Sequence, residues 1–213
     1  MLVDAHAHVD TYGDALADGI EVHAMKVGFI IYDGMTALDF IGVYDPVTRL
    51  NTMGFLPDLH WEVCARSMTV EDGAGLAFIP TKVGEPLHVY DMIIVPGGYG
   101  SRKLVDDGTF IEWLRTAAPC QLKVSVCTGA LLLGAAGFLK GKTATTHRSA
   151  FNDLKPFCAS VVDRRIVDEG DVITARGVSS SIDLGLYLCE KLAGREAKER
   201  IRQQMDYEHV AAL

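Results

Sequence analysis

Short apolar runs alternate with segments of helical periodicity along most of the chain. The run at 25–32 is apolar apart from Lys26, as in a strand that is buried in a parallel sheet, and the turn at 33–34 separates it from a helix. The pattern in the first half predicts strands at 25–32, 60–68 and 89–95, a helix that starts near Ala37, and an amphipathic helix over 104–117.

The second half continues this alternation. It predicts a buried strand that ends before Cys127, a strand at 142–146, a helix through Leu154, a hairpin within 161–174 that turns at 169–171, and a last helix over 180–192. Such alternation predicts an α/β fold, a three-layer sandwich in which helices cover both faces of a mostly parallel sheet. Functional sites in these folds lie at the carboxyl ends of the strands.

One cysteine lies at the junction of a predicted strand and a predicted helix. The residues before Cys127 are largely apolar and β-branched, and the alanines and leucines after it favour helix. A thiol at a helix start faces unpaired N–H groups and the positive end of the helix dipole, which lower its pKa. Gly129 relieves the crowding of such a tight turn. We therefore predict a nucleophile elbow at Cys127; the alternative is a buried cysteine that acts as a small apolar residue.

Composition narrows the classes of partner. The chain has 213 residues, 49% of them hydrophobic, which suits one large core, and its formal net charge of −8 argues against nucleic-acid binding. No apolar run approaches the roughly 20 residues needed to cross a bilayer. Five scattered cysteines without a CxxC pair indicate reduced thiols. We expect a cytoplasmic protein with a small-molecule substrate and neither a nucleic-acid nor a membrane partner.

Residues 1–24 need separate treatment, because Met25 resembles a natural start and begins the first core strand. His6 and His8 form an HxH pair like the one that supplies two metal ligands in amidohydrolase-type enzymes. The barrel and the further ligands of those enzymes have no counterpart in the pattern. We therefore predict no metal, with 1–24 as an N-terminal extension or fusion remnant and 25–213 as one domain.

A glycine-rich loop follows the strand predicted at 89–95. Its glycines allow backbone N–H groups to approach a ligand closely. If this loop and the Cys127 elbow meet at one edge of the sheet, the N–H groups of Gly98 and Thr128 can together form an oxyanion hole. The alternative is an ordinary tight turn after a strand.

Two further side chains are candidates for proton transfer or substrate binding. Asp39 follows the first strand, so it can reach the same edge, where burial would raise its pKa toward a useful range. Otherwise it is a solvated residue at a helix start. His147 can orient a substrate or act as a base, or it is a structural histidine. Arg176 and Asp183 give weaker signals of the same kind.

Five short segments stand out along the chain. They are Leu-Asp-Phe-Ile-Gly at 38–42, Ile-Val-Pro-Gly-Gly at 94–98, Ser-Val-Cys-Thr-Gly-Ala at 125–130, Leu-Gly-Ala-Ala-Gly at 133–137 and Ala-Thr-Thr-His at 144–147. Together they resemble the ThiJ/PfpI superfamily, which implies a flavodoxin-like fold of the class I glutamine-amidotransferase type. The resemblance spans nearly all of 25–213 and is strongest to the isocyanide hydratase-like branch and the related sensor domains of AraC-type regulators.

The resemblance implies roles for individual residues. Cys127 would be the nucleophile and Asp39 its acid/base partner. Gly98 and Thr128 would be the oxyanion donors, with Thr128 also a hydrogen-bonding neighbour of the sulfur. Thr128 stands where the protease-like branch has histidine, which disfavours peptide hydrolysis. Arg148 stands where the hydratase branch often has an aromatic residue, so the substrate can differ. We expect a homodimer by the same resemblance, and we predict no cofactor.

The leading prediction is therefore a cysteine-dependent hydratase that converts an isocyanide to an N-substituted formamide through a covalent thioimidate. Two alternatives use the same thiol. One is a glyoxalase-like or deglycase-like enzyme that acts on small carbonyl compounds. The other is a non-enzymatic sensor of a ligand or of oxidative stress, in which the cysteine is oxidised.

Overall fold

The computed structural model describes residues 24–208. These residues contain eleven strands: seven form the main sheet, and the other four form two separate pairs. The predicted extension at 1–24, which contains His6 and His8, lies outside the described residues except for Ala24. The strands are β1 (Lys26–Ile30), β2 (His60–Ala65), β3 (Val70–Glu71), β4 (Ala77–Phe78), β5 (Lys82–Val83), β6 (Met92–Val95), β7 (Leu122–Val126), β8 (Thr143–Ala144), β9 (Ser160–Val161), β10 (Ile166–Asp168) and β11 (Val172–Ala175).

Six α-helices connect and cover the strands in this part of the chain. Short 3₁₀ turns occur at Leu87–Val89, Arg148–Ala150 and Lys155–Phe157. The α-helices are α1 (Ala37–Thr52), α2 (Gly100–Leu104), α3 (Gly108–Arg115), α4 (Gly129–Ala135), α5 (Phe151–Leu154) and α6 (Ser180–Gln204).

The order of the strands determines where the helices lie. The sheet runs β10-β11-β7-β6-β1-β2-β5, and every neighbouring pair is parallel except β10 and β11. The path from β1 to β2 moves toward one edge, and the path from β6 through β7 to β11 moves toward the other. Because such crossovers are right-handed, the two paths place their helices on opposite faces. Accordingly, α1 packs against α6, while α2, α3 and α5 pack against α4. The predicted α/β fold is confirmed.

The direction of winding reverses between β1 and β6, which are neighbours in the sheet. Adjacent loops diverge at such a point and leave a crevice beyond the carboxyl ends of the strands. All residues of β6, β7 and β11 are buried, as expected for strands covered on both faces. Lys123 of β7 is the one charged residue in these three strands. It is also buried, and its ammonium group donates to the carbonyl oxygens of Ala118 and Cys120. The crevice therefore rests on a closely packed core.

The helix predicted over 104–117 is wrong in one respect, because the structure has two helices there. Asp107 lies between them with extended backbone, and its carboxylate accepts hydrogen bonds from the N–H groups of Thr109 and Phe110. An aspartate in this position satisfies N–H groups that a helix start leaves unpaired, so α3 begins anew at Gly108.

The last helix also differs from its prediction over 180–192. It continues to Gln204 and is interrupted at Gly194, whose φ of 83° is non-helical. The hairpin with its turn at 169–171 is confirmed by the antiparallel pairing of β10 with β11. The strand predicted at 142–146 is limited to β8, which pairs with β9 outside the main sheet. The short β3–β4 hairpin and the edge strand β5 were not predicted.

No helix within 24–208 combines the length and apolar character needed to span a membrane.

Replacement of Asp107 by alanine tests the cap between α2 and α3. We expect Asp107→Ala to lower the free energy of unfolding by about 1 kcal/mol, because two N–H groups of α3 lose their acceptor. Asp106→Ala is the matched control, since Asp106 is exposed and adjacent in sequence. Urea denaturation of both variants measures the difference, and equal losses for the two would contradict the capping role.

Candidate active site

Three loops at the carboxyl edge of the sheet meet around Cys127. They follow β1, β6 and β7, which are adjacent in the sheet and surround the reversal of winding. The first loop leads into α1 and brings Asp39 in its first turn. The second contains Gly97 and Gly98, and the third is the elbow itself. The predicted meeting of these segments at one edge is therefore present.

The elbow holds Cys127 in an unusual backbone conformation. Its φ is 54°, in the left-handed region that residues with a side chain rarely adopt. Two hydrogen bonds retain it there: the Cys127 N–H donates to the carbonyl of Ala175, at 2.9 Å, and Thr146 Oγ1 donates to the Cys127 carbonyl, at 2.7 Å. A Cβ at Gly129 would lie 2.3 Å from the carbonyl oxygen of Val95, so the predicted need for glycine at this turn is confirmed. These hydrogen bonds and the close packing at Gly129 thus hold the strained backbone of Cys127 in place.

The carboxyl group of Asp39 is fully buried beside the cysteine. Its Oδ2 accepts a hydrogen bond of 2.9 Å from the Gly97 N–H, and the carboxyl group contacts the Cys127 thiol. Oδ1 is buried and has no hydrogen-bond partner among residues 24–208. A Cβ at Gly97 would lie 2.8 Å from both Asp39 Oδ2 and Cys127 Cβ. Only glycine at position 97 allows the carboxyl and thiol groups to approach in this way.

Burial changes the acidity of both groups. It raises the pKa of Asp39 to about 6, although the Gly97 N–H and the Cys127 thiol act in the opposite direction. Burial, followed by the negative charge of Asp39, raises the pKa of Cys127 to about 12. The predicted increase for Asp39 is confirmed. At neutral pH the pair therefore consists mainly of a carboxylate next to a protonated thiol.

The predicted lowering of the Cys127 pKa is wrong. Cys127 as a whole residue is only 5% exposed, and the helix that follows does not begin until Gly129. The N–H and hydroxyl groups of Thr128 contact the sulfur and lower the pKa, as expected for a hydrogen-bonding neighbour, but they do not outweigh burial and the Asp39 charge. The thiol therefore stays protonated at neutral pH, and Asp39 is the carboxylate in contact with it.

The N–H group of Gly98, predicted to be an oxyanion donor, makes a hydrogen bond within the protein instead. Its N–H donates to Thr128 Oγ1 at 2.9 Å, and Thr128 Oγ1 is also within 3.0 Å of the Gly98 carbonyl. The Gly98 carbonyl accepts a further bond of 2.7 Å from Ser101 Oγ. An oxyanion contact from Gly98 would require its N–H to leave Thr128, so the two-donor oxyanion hole predicted for Gly98 and Thr128 is not open in this arrangement.

Tyr32 binds the start of the glycine loop. This role was not predicted from the sequence. Its buried hydroxyl donates to the Pro96 carbonyl at 2.7 Å. Burial, together with the nearby Asp39 and Cys127, raises the pKa of Tyr32 well above its ordinary value, so the phenol stays neutral. The phenol therefore acts as a permanent donor that fixes the start of the loop.

A cavity of about 170 Å³ opens beside Cys127. This volume corresponds to about six water molecules in the liquid, which suits a small substrate. The predicted residues Gly98, Thr128 and His147 line it, and Asp39 lies behind Cys127. The lining was not fully foreseen, although Tyr99 and Arg102 come shortly after the glycine pair. The lining residues are Thr36, Gly98, Tyr99, Arg102, Cys127, Thr128, His147, Ser149 and Val178.

His147 forms a small hydrogen-bonded unit with Ser149 at the cavity wall. The Ser149 N–H donates to Nδ1 of the ring at 3.3 Å, and Ser149 Oγ lies 2.8 Å from the same nitrogen. We assign the ring hydrogen to Nε2 on this basis. The ring can therefore offer a substrate one N–H donor.

The weaker candidates Arg176 and Asp183 do not line this cavity. Arg176 pairs with Asp163, and Asp183 pairs with Arg165 and accepts a hydrogen bond from the hydroxyl of Tyr207. Asp183 instead lines a larger cavity of about 710 Å³ along α6, where most charged side chains bind one another. Among residues 24–208, no group of three or more His, Cys, Asp or Glu side chains is placed to hold a metal ion.

Comparison with known proteins gives consistent matches. Residues 25–191 match the DJ-1/PfpI family. The isonitrile hydratase of Pseudomonas putida is 35% identical over 187 residues, which are 86% of this chain and 79% of that protein. The DJ-1alpha protein of Drosophila melanogaster is 28% identical over 83% of this chain and 81% of its own length. A crystal structure of a THiJ/PfpI family protein from Pseudomonas syringae is 29% identical, with a TM-score of 0.79, and the match covers 98% of this chain and 85% of that one.

The chain therefore belongs to the DJ-1/PfpI family, as the fold and the elbow had indicated.

The buried carboxyl group of Asp39 predicts a specific dependence of stability on pH. Because its pKa is about 6 when folded and 3.8 ordinarily, the folded state binds the proton more tightly. This group's contribution to the free energy of unfolding therefore falls as pH rises from about 4 to 6, by about 3 kcal/mol in total. Denaturation of wild type and Asp39→Asn at several pH values measures the effect.

In that comparison the stability of Asp39→Asn should rise relative to wild type between pH 4 and 6.5. Parallel curves for the two proteins would contradict a raised Asp39 pKa.

Proposed function

We propose that this protein is an isocyanide hydratase-like enzyme that uses Cys127 as its nucleophile and gives an N-substituted formamide. The observation that carries the proposal is the contact between a buried carboxylate and a buried thiol beside a small cavity. Further support comes from the 35% identity to the isonitrile hydratase of Pseudomonas putida, since isonitrile is another word for isocyanide.

In the first half of the proposed reaction, Asp39 moves one proton. The carboxylate accepts the thiol proton as Sγ forms a bond to the terminal carbon of the isocyanide. The same carbon then receives this proton from the Asp39 carboxyl group, which gives a thioimidate bound to Cys127. A pKa of about 6 suits both steps, because the group is mainly ionised at neutral pH but regains a proton readily.

In the second half, water adds to the thioimidate carbon. One proton of the water passes to the imidate nitrogen, so that the carbon carries a hydroxyl group, the sulfur and the amine. The carbon–sulfur bond then breaks, the hydroxyl proton passes through Asp39 to the sulfur, and the formamide leaves. The sum is one isocyanide and one water giving one formamide, with the thiol and the carboxylate restored.

The arrangement of Gly98 favours this substrate over a carbonyl compound. Attack on a carbonyl places negative charge on oxygen, which needs N–H donors, whereas the Gly98 N–H is bound to Thr128 Oγ1. Attack on an isocyanide places the developing charge on carbon, which needs a proton. Asp39 supplies a proton at this place, and a glyoxalase-like or deglycase-like activity is therefore the weaker candidate.

A sensor that responds by oxidation of Cys127 has less support. Oxidation requires an accessible thiolate. Cys127 is only 5% exposed, and the pKa of its thiol is raised to about 12. We further propose that the protein is a cytoplasmic homodimer without a nucleic-acid partner. Light scattering of the purified protein tests whether it is a dimer.

Replacement of the two central residues tests the proposed chemistry. We expect Cys127→Ser and Asp39→Asn each to lower formamide production from a simple alkyl isocyanide by at least about 100-fold, because the nucleophile or its proton carrier is lost. Product formation is followed by mass spectrometry, with methylglyoxal and peroxide as parallel substrates.

Cys158→Ser is the matched control, since Cys158 is a free, partly exposed cysteine that does not line the cavity. It should retain full turnover. Lactate from methylglyoxal without formamide from any isocyanide would replace the hydratase by the carbonyl enzyme.

The rate of hydration should depend on the ionisation of Asp39. Because the carboxylate must accept the thiol proton, we expect kcat/KM to fall about tenfold for each pH unit below 6 and to level off above it. A pH profile of wild type measures this, with circular dichroism at each pH to exclude unfolding. A rate that rises as pH falls below 6 would exclude Asp39 as the base.

A further inference from the structure

The cavity beside Cys127 is asymmetric in charge. Among its described lining residues, Arg102 is the one with a permanent charge, and the other polar side chains carry hydroxyl groups, the Cys127 thiol and the His147 imidazole. The nearest acid of the site, Asp39, is fully buried behind the cysteine and does not line the cavity. A substrate that enters therefore meets a cation at the wall.

The guanidinium group of Arg102 makes fewer hydrogen bonds within the described residues than those of Arg148 and Arg176. Arg148 and Arg176 both donate hydrogen bonds to the carboxylate of Asp163. Arg102 makes no side-chain hydrogen bond to a residue within 24–208, and its Nε lies 4.0 Å from Oδ2 of Asp153, which is 53% exposed. A contact of that length between partly exposed groups contributes little. Most of the donors of Arg102 are therefore available to a ligand.

The guanidinium group of Arg102 lies over the exposed ring of Tyr99. The Cζ atom of Arg102 lies 5.6 Å from the centroid of the Tyr99 ring, in a cation–π contact. Both residues line the cavity, and His147 adds an N–H donor on Nε2 at the same cavity. A planar guanidinium group presents paired N–H donors that match the two oxygens of a carboxylate.

We propose that the cavity selects small electrophiles that carry a carboxylate group, and that Arg102 determines this specificity by binding that carboxylate. For the proposed hydratase, on whose nucleophile Cys127 this inference rests, the substrate class is an isocyano carboxylate of about six heavy atoms. Its isocyanide carbon meets Cys127 while its carboxylate meets Arg102. The size agrees with the cavity of about 170 Å³.

Alkylation of Cys127 by iodoacetate and by iodoacetamide tests this selection without requiring hydration. In both reactions Sγ bonds to the methylene carbon, iodide leaves, and the thiol proton passes to Asp39 and then to solvent. The reagents have nearly the same size but differ in charge. The readout is the ratio of their second-order rate constants at Cys127, measured by mass spectrometry of the intact, full-length protein.

We expect Arg102→Gln to lower the iodoacetate/iodoacetamide ratio about tenfold, because a charge-assisted hydrogen bond to the anion is lost. Its rate with iodoacetamide should stay within about twofold of wild type, which shows that the cavity is intact. Arg148→Gln is the matched control, since it removes the same charge nearby from a residue already bound to Asp163. An unchanged ratio in Arg102→Gln, or an equal fall in Arg148→Gln, would overturn the proposal.

A second arm separates this proposal from the hydratase function. The hydration of isocyanoacetate and of its neutral amide is compared in wild type and Arg102→Gln. Selection predicts a kcat/KM preference for the anion that Arg102→Gln removes. If both isocyanides are inert while alkylation shows the Arg102-dependent preference, the hydratase function fails and anion selection stands. If both are hydrated equally by both proteins, the hydratase function stands and anion selection fails.

Discussion

The contact between the Asp39 carboxyl group and the Cys127 thiol is the interaction on which the site depends. Both groups are buried, and water cannot stabilise a second negative charge there. The pair therefore keeps a proton on the sulfur while the carboxylate holds the charge, with the Gly97 N–H as its backbone donor. Any loss of this proton from the sulfur therefore takes place in contact with a carboxylate.

The fold makes this contact possible through the reversal of winding between β1 and β6. Right-handed crossovers in opposite directions leave their loops on the two sides of the cysteine, so residues far apart in sequence become neighbours. The left-handed conformation of Cys127 is maintained by bonds to Ala175 of β11 and to Thr146. Tyr32 fixes the glycine loop through Pro96. The site is thus supported by the central strands rather than by mobile elements.

Local patterns were sufficient to predict the sheet and the elbow. The largely apolar run at 25–32 contains β1, and the small residues around Cys127 predicted the close approach that Gly129 permits. The break at Asp107 was also present in the sequence as an aspartate before glycine, but apolar periodicity outweighed it. These features depend on residues within one or two turns of each other.

The chemistry of the site could not be predicted in the same way. The pKa of Cys127 depends on burial and on the charge of Asp39, which comes from another βα unit, and these outweigh the helix that follows. The Gly98 amide was expected to face a substrate, but the side chain of Thr128 accepts its hydrogen bond. The open donors of Arg102 likewise depend on which acids its neighbours bind, and sequence spacing does not contain that information.

The distribution of the site over separate loops has a consequence for the folding of this protein. A partly folded chain that has formed β7 and α4 but not yet docked α1 contains an ordinary cysteine without its carboxylate. The carboxylate and the thiol therefore become neighbours only when α1 docks on the sheet beside the elbow. Without that burial and that negative charge, the pKa of the thiol returns toward its ordinary value, so a nascent or damaged molecule carries a larger fraction of thiolate but no adjacent proton acceptor.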